Sequence, residues 1–159
     1  RRVVCVMLWF RSARKGDYPV VDRLLMQLHE VDVQGRPEQF APCDHYMSRE
    51  AFESLLENEN VLAFLAQEQG EVLGCCFVSL LEHQGTVPGK VAYIDLLVVD
   101  KKHRRQGIGR AMFQHVRKYA HKIGADRVEL MVWSYNDAAI QAYRSYGMTP
   151  QRSIYECGV

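Results

Sequence analysis

Apolar side chains recur along this chain with two periods, and the switch from one to the other outlines its elements. Val20, Val21, Leu24, Leu25, Leu28 and Val31 fall at helical spacing and leave Asp22, Arg23, Gln27 and Glu30 toward solvent. Asp17 is placed to cap that helix, Pro19 suits its first turn, and Gln34-Gly35-Arg36-Pro37 ends it. Glu38 to Tyr46 reads as a loop, after which Ser48 caps a second helix over Arg49 to Glu57. Val61 to Ala66 and Val72 to Leu81 bracket the polar Gln67 to Glu71, as in a hairpin. Val91 to Val99 is apolar except at Asp95, which predicts a central strand covered on both faces. Gly107 to Ile123 reads as a helix through Ile108, Met112, Val116 and Tyr119, stopped by Gly124. Val128 to Trp133 predicts a strand, Ala138 to Tyr146 a short helix, and Gln151 to Cys157 a last strand closing the sheet.

Strand, two helices, three strands, helix, strand, helix, strand is the order of a mixed α/β (α+β layer) fold. No repeat, low-complexity tract or linker divides it, so residues 7–159 are expected to form a single domain. Arg1 to Val6 runs on into Met7-Leu8-Trp9-Phe10, and two readings stand: one first strand, or an extension preceding a native start at Met7. The second is preferred.

Composition narrows the function. With 159 residues, 48% of them apolar, the chain is large enough for a real core. Twenty basic against nineteen acidic side chains leave +1, which excludes a general nucleic-acid binder working by phosphate neutralisation, so any anion site must be local. The five cysteines are odd in number and lack metal-ligand spacing, which fits a reduced, cytoplasmic compartment and no metal. No apolar run approaches membrane-spanning length and none resembles a signal peptide, so no membrane partner is expected.

One segment carries chemistry. Arg104-Arg105-Gln106-Gly107-Ile108-Gly109 lies between the central strand and a long helix, where free backbone N–H groups and the helix dipole converge. The two glycines let a phosphate approach the backbone, and Lys101, Lys102, Arg104, Arg105 and Arg110 add positive charge, so a pyrophosphate is the expected ligand. Gly-x-Gly alone also fits a tight turn with a solvated basic run. Met at position 112 departs from the dinucleotide fingerprint, and the Walker pattern is absent.

Arg104-x-x-Gly107-x-Gly109, followed one helix and one strand later by Asn136-x-x-Ala139-x-x-x-Tyr143-x-x-x-Gly147, resembles the paired motifs of the GNAT superfamily of N-acetyltransferases. The resemblance covers Val61 to Cys157, and Arg11 to Asn60 more loosely. It implies a mostly antiparallel sheet splayed between its middle strands, Val91–Val99 and Val128–Trp133, with helices on both faces. Pantetheine of acetyl-CoA would enter the slot and pair with the main chain of Leu97, Val98 and Val99, one N–H meeting the thioester oxygen. Arg104, Arg105, Gln106, Gly107, Ile108, Gly109 and Arg110 would hold the pyrophosphate. Asn136 reads equally as a helix cap and as a cofactor contact.

Transfer to an amine needs a base, because an ammonium has a pKa near ~10.4. Asp95 is the first candidate: the only acid between Tyr93 and Val99, expected buried and on the same face as Leu97, in a position where family members often place an acid. A structural carboxylate held by backbone or by Arg127 is the other reading, and Glu82, His83 and Glu30 are alternative bases. Tyr143 is the candidate general acid, against a packing role beside Tyr146 and Met148. Trp133 and Tyr135 line or pack the pocket, the loop Val33 to Met47 shapes selectivity, and His29 reads as structural. A small cationic amine (polyamine, aminoglycoside or amino-acid derivative) is the expected acceptor. A protein lysine or N-terminal acetyltransferase and a non-catalytic acyl-CoA sensor are the alternatives. The apolar, aromatic stretch Met148 to Val159 allows a homodimer.

Overall fold

In a computed structural model, which describes residues 7–83 and 85–159, the two periods become two layers of helix on one sheet. The strands are β1 (Trp9–Ser12), β2 (Val61–Glu68), β3 (Glu71–Glu82), β4 (Lys90–Val99) and β5 (Arg127–Leu130), in the order β1-β2-β3-β4-β5. Every neighbouring pair is antiparallel except β4 and β5, which run parallel. The helices are α1 (Tyr18–Gly35), α2 (Arg49–Glu57), α3 (Ile108–Lys122) and α4 (Asp137–Ser145).

Alternate residues of β2 and β3 serve different cores, which is why both strands read as near-continuous apolar runs. Phe64, Cys76 and Val78 meet Met112, Phe113 and Val116 of α3. Leu65, Cys75 and Phe77 meet Val21, Leu24 and Leu25 of α1 and Phe52 of α2. Phe52, Phe64 and Phe77 are fully buried, each worth roughly 2–3 kcal/mol of transfer free energy.

The second helix starts as expected, with Ser48 Oγ accepting from Ala51 N at 3.1 Å. Gly124 (φ 73°) and Gly147 (φ 92°) follow α3 and α4 in the left-handed conformation. Asp17 does not cap α1; Arg11 takes its carboxylate at 2.8 Å and Arg14 N at 2.7 Å, so an ion pair between β1 and the helix start replaces the cap. Asp22 and Gln27 are buried rather than solvated, for reasons given below. The β2–β3 loop is only Gln69-Gly70, both at positive φ (49° and 82°), so the polar residues around it belong to the ladder.

Two sheet expectations fail together. Strand β5 ends at Leu130 instead of Trp133, and Gln151 to Cys157 forms no strand: every residue from Thr149 to Val159 is exposed. The expectation for Arg1 to Val6 lies outside the described residues.

Candidate active site

The site begins with a fault in the sheet. Ile94 pairs with Val78 and Leu96 with Phe77, so Asp95 is an extra residue with no partner on β3, a β-bulge. The bulge reverses the alternation: Ala92, Ile94, Leu97 and Val99 join the α3-side core, while Leu96 and Val98 join the opposite one. On its other edge, β4 pairs with β5 only as far as Ile94↔Leu130. Beyond that point β4 runs on to Val99 with no strand beside it, and the sheet opens into a slot.

Asp95 does not share a face with Leu97, nor is it buried. It is exposed on the α1/α2 side, where Ser79 Oγ donates to its Oδ2 at 2.5 Å. The bulge is the reason, since two consecutive residues, Asp95 and Leu96, now lie toward that side. Partial desolvation of the carboxyl against the sheet raises its pKa above the usual range, and the Ser79 hydrogen bond opposes the shift. Arg127 does not hold it; that guanidinium bonds Glu129 at 2.6 Å. Glu82 pairs with Lys90, at the far end of β4 from the slot, and His83 sits there beside Asp126. Glu30 is exposed on α1.

Past Val99 the chain enters the basic loop. Arg104 Nε donates to Val99 O at 3.1 Å and folds the turn back on the strand. Arg105 (φ 61°) and Gly107 (φ 80°) are both left-handed, which turns successive amides toward one side. Helix α3 starts at Ile108, and Ala111 N to Gly107 O (3.0 Å) is its first backbone bond, so the amides of Ile108, Gly109 and Arg110 have no acceptor within the helix. Ile108 is buried and offers only its amide, while Arg105 and Gln106 are exposed. The Arg110 side chain is engaged elsewhere: it bonds Ser145 O and Oγ at 3.0 and 3.2 Å and covers the Tyr146 ring. A Cβ on Gly109 would stand 2.7 Å from Tyr146 Oη, so that glycine also lets α4 close on α3.

Tyr143 reaches the slot from α4. Asn136 Oδ1 caps this helix by accepting from Ala139 N at 3.2 Å. The Tyr143 ring meets Tyr146 edge-on at 6.1 Å, the packing partner expected of it. Burial, and secondarily the Cys76 thiol and Tyr146, push its hydroxyl up to about 12. Cys76 pairs with Leu97 across the β3–β4 ladder, so the hydroxyl lies within electrostatic reach of the unpaired part of β4.

One wall is the end of α1 and the loop after it. Asp22 accepts from His45 Nδ1 (2.8 Å) and Tyr46 N (2.9 Å), His29 Nε2 bonds Ala41 O (2.8 Å), and Tyr18 donates to Met47 O (2.8 Å). His29 therefore has the structural role expected of it. Phe40 meets Trp133 edge-on, Trp133 stacks on Tyr135, and Tyr135 Oη donates to Asp32 at 2.7 Å. These contacts hold the loop against the chain that follows β5.

Sequence reading missed Asp100, 2% exposed at the joint between β4 and the basic loop. Its Oδ2 pairs with Arg23 at 2.7 Å, and its Oδ1 accepts from Lys102 N (3.1 Å) and Gln27 Nε2 (3.3 Å). Gln27 Oε1 in turn accepts from Lys101 N at 2.9 Å. Burial alone would raise this carboxyl, but Arg23, the Lys102 amide and Gln27 outweigh it and hold the pKa at about 2. An acid directly before a run of cations was the available signal.

The profile of the acetyltransferase (GNAT) family matches residues 25–148. The chain belongs to this family. GNAT membership places it among acyl-CoA-dependent N-acetyltransferases. A probable N-acetyltransferase, san, of Drosophila melanogaster is 36% identical over 89 residues, which is 54% of this chain and 46% of the fly protein. The match thus spans about half the length of that relative. Thialysine N-epsilon-acetyltransferase of Bos taurus is 24% identical over 140 residues, 86% of this chain and 81% of the bovine protein. A crystal structure of the BH1408 protein from Bacillus halodurans shares the GNAT fold at a TM-score of 0.91 and 28% identity, covering 95% of this chain and 99% of that one.

Proposed function

We propose that this protein moves the acetyl group of acetyl-CoA to a primary amine of a small cationic molecule, by direct attack in a ternary complex. The observation that carries the reading is the conjunction at the end of β4: a strand edge unpaired beyond Ile94 that leads within a few residues to the free amides at the start of α3.

Pyrophosphate would sit on the amides of Gln106 to Arg110, with Arg104 and Arg105 adding charge. Arg110 contributes its amide, because its guanidinium is held by Ser145. Pantetheine would lie along Leu97, Val98 and Val99 as an added strand, and a main-chain N–H there would meet the thioester oxygen as negative charge develops. Asn136 fixes the start of α4 and through it the reach of Tyr143.

The amine nitrogen attacks the carbonyl carbon, the N–C bond forms, and the C–S bond breaks to release the thiolate. Asp95 takes the ammonium proton, directly or through water, aided by a pKa already raised by desolvation. Tyr143 stays protonated throughout the neutral range, because its pKa stands at about 12, and it gives its proton to the departing sulfur.

Asp95 and Asp32 favour a cationic acceptor, and the aromatic pair Trp133–Tyr135 suits a cation or an aliphatic stem. The bovine relative is named for acetylation of thialysine, an amine of the same class. The test is free thiol released from acetyl-CoA against polyamines, aminoglycosides, amino acids and short peptides. Turnover with one small amine supports the reading; turnover only with peptides, or acetyl-CoA binding with no turnover for any amine, refutes it.

A further inference from the structure

Two stretches with strand-forming sequence are left without a sheet, and they lie side by side. Met131-Val132-Trp133 continues β5 in sequence but not in structure, and Gln151 to Cys157, with Ile154 and Tyr155 at its centre, forms no strand. Strand β5 is the last in the sheet and pairs on one edge only, so its other edge offers unmatched N–H and C=O groups. Ile154 is 86% exposed, Tyr155 93% and Met131 64%. Three such residues in one neighbourhood are a poor surface for a chain with nothing laid against it.

The tail is not led onto its own β5. Met148 packs against the core, and its N donates to Tyr143 O at 3.0 Å; among the described residues, none from Thr149 to Val159 makes a main-chain hydrogen bond to another element. Gln151 touches Glu129 and Glu156 touches Arg36, two exposed and therefore weak contacts that lead the segment toward the end of α1.

We propose that residues 151–157 form their strand against β5 of a second copy of this chain, in a reciprocal exchange. The occupant follows from the match of parts: the open edge belongs to β5, and the segment whose pattern fits it is carried by the same chain but directed elsewhere. Residues 127–133 and 151–157 are equal in length, so one pairing completes both strands. Exchange in both directions covers Ile154, Tyr155 and Met131 twice over, and an eleven-residue segment given and received removes on the order of 1,000 Å² or more, the range of a stable interface. It also brings residues of a second copy next to Arg36 and Trp133, beside the acceptor wall.

Light scattering and a cysteine trap test this without reference to activity, so its outcome is independent of the reaction proposed above. Wild type is expected at twice the chain mass. Tyr155→Pro, which removes a ladder donor from a fully exposed segment, is expected at the single mass with unchanged circular dichroism. With Cys43 and Cys157 replaced by serine, Leu130→Cys in one tagged copy is expected to form a disulfide with Ile154→Cys in a second, differently tagged copy. A wild-type monomer at all micromolar concentrations, a dimer that survives Tyr155→Pro, or no disulfide between the two tagged copies overturns the proposal.

Discussion

Replacing Asp100 by asparagine keeps the shape of the side chain and removes its charge from the joint between β4 and the basic loop. The folded-state pKa is about 2 against an ordinary 3.8, a difference worth roughly 2 kcal/mol of stability at neutral pH. Because the folded value is the lower one, that stability is fully present above about pH 4 and drains away as the pH falls toward 2. At pH 3 roughly half remains, on the order of 1 kcal/mol. Urea titrations of wild type and Asp100→Asn, followed by circular dichroism, should therefore show a gap of roughly 2 kcal/mol at pH 7 that halves at pH 3, with a melting temperature lowered by about 4–8 °C at neutral pH. The same substitution should raise KM for acetyl-CoA and leave KM for the amine nearly unchanged, since Asp100 and Gln27 fix the amides of Lys101 and Lys102 at the mouth of the loop. A gap equal at both pH values, or none at pH 7, would refute the electrostatic account.

Tyr143→Phe should lower kcat by about 10²-fold or more while acetyl-CoA binding by calorimetry stays the same; an unchanged kcat removes Tyr143 from the chemistry. Ser79→Ala takes away the hydrogen bond that restrains the Asp95 pKa, so the acid limb of the kcat/KM profile should move to higher pH, and Asp95→Asn should abolish that limb. Gly107→Ala puts a Cβ at φ 80°, which should cost about 1–2 kcal/mol in stability and weaken acetyl-CoA binding even though no atom crowds the new methyl.

Where local chemistry decided structure, the sequence was legible. Ser48 capped its helix, Gly124 and Gly147 stopped theirs, and the apolar run of β4 became an inner strand. The basic loop could be placed for the same reason, since a glycine at positive φ before a helix is a short-range signal. Long-range partners were not legible. Asp22 and Gln27 looked solvated because their positions on α1 are polar, yet a loop and a strand end fold onto them and take their hydrogen bonds. Asp17 was read as a cap because nothing local revealed Arg11 across from it. The face of Asp95 was misjudged because alternation was counted through a bulge, and a bulge is decided by two strands together.

That extra residue makes the reading frame of β4 part of its function. Excision of Asp95 would give a ladder that pairs more regularly with β3, and by hydrogen-bond geometry alone a better sheet. Yet Leu96 to Val99 would then each exchange one side of the sheet for the other, sending the side chains that now fill one core into its neighbour. A chain that tolerates many substitutions along this strand would thus tolerate no change in its length, because the irregular residue keeps two cores and one open edge in phase.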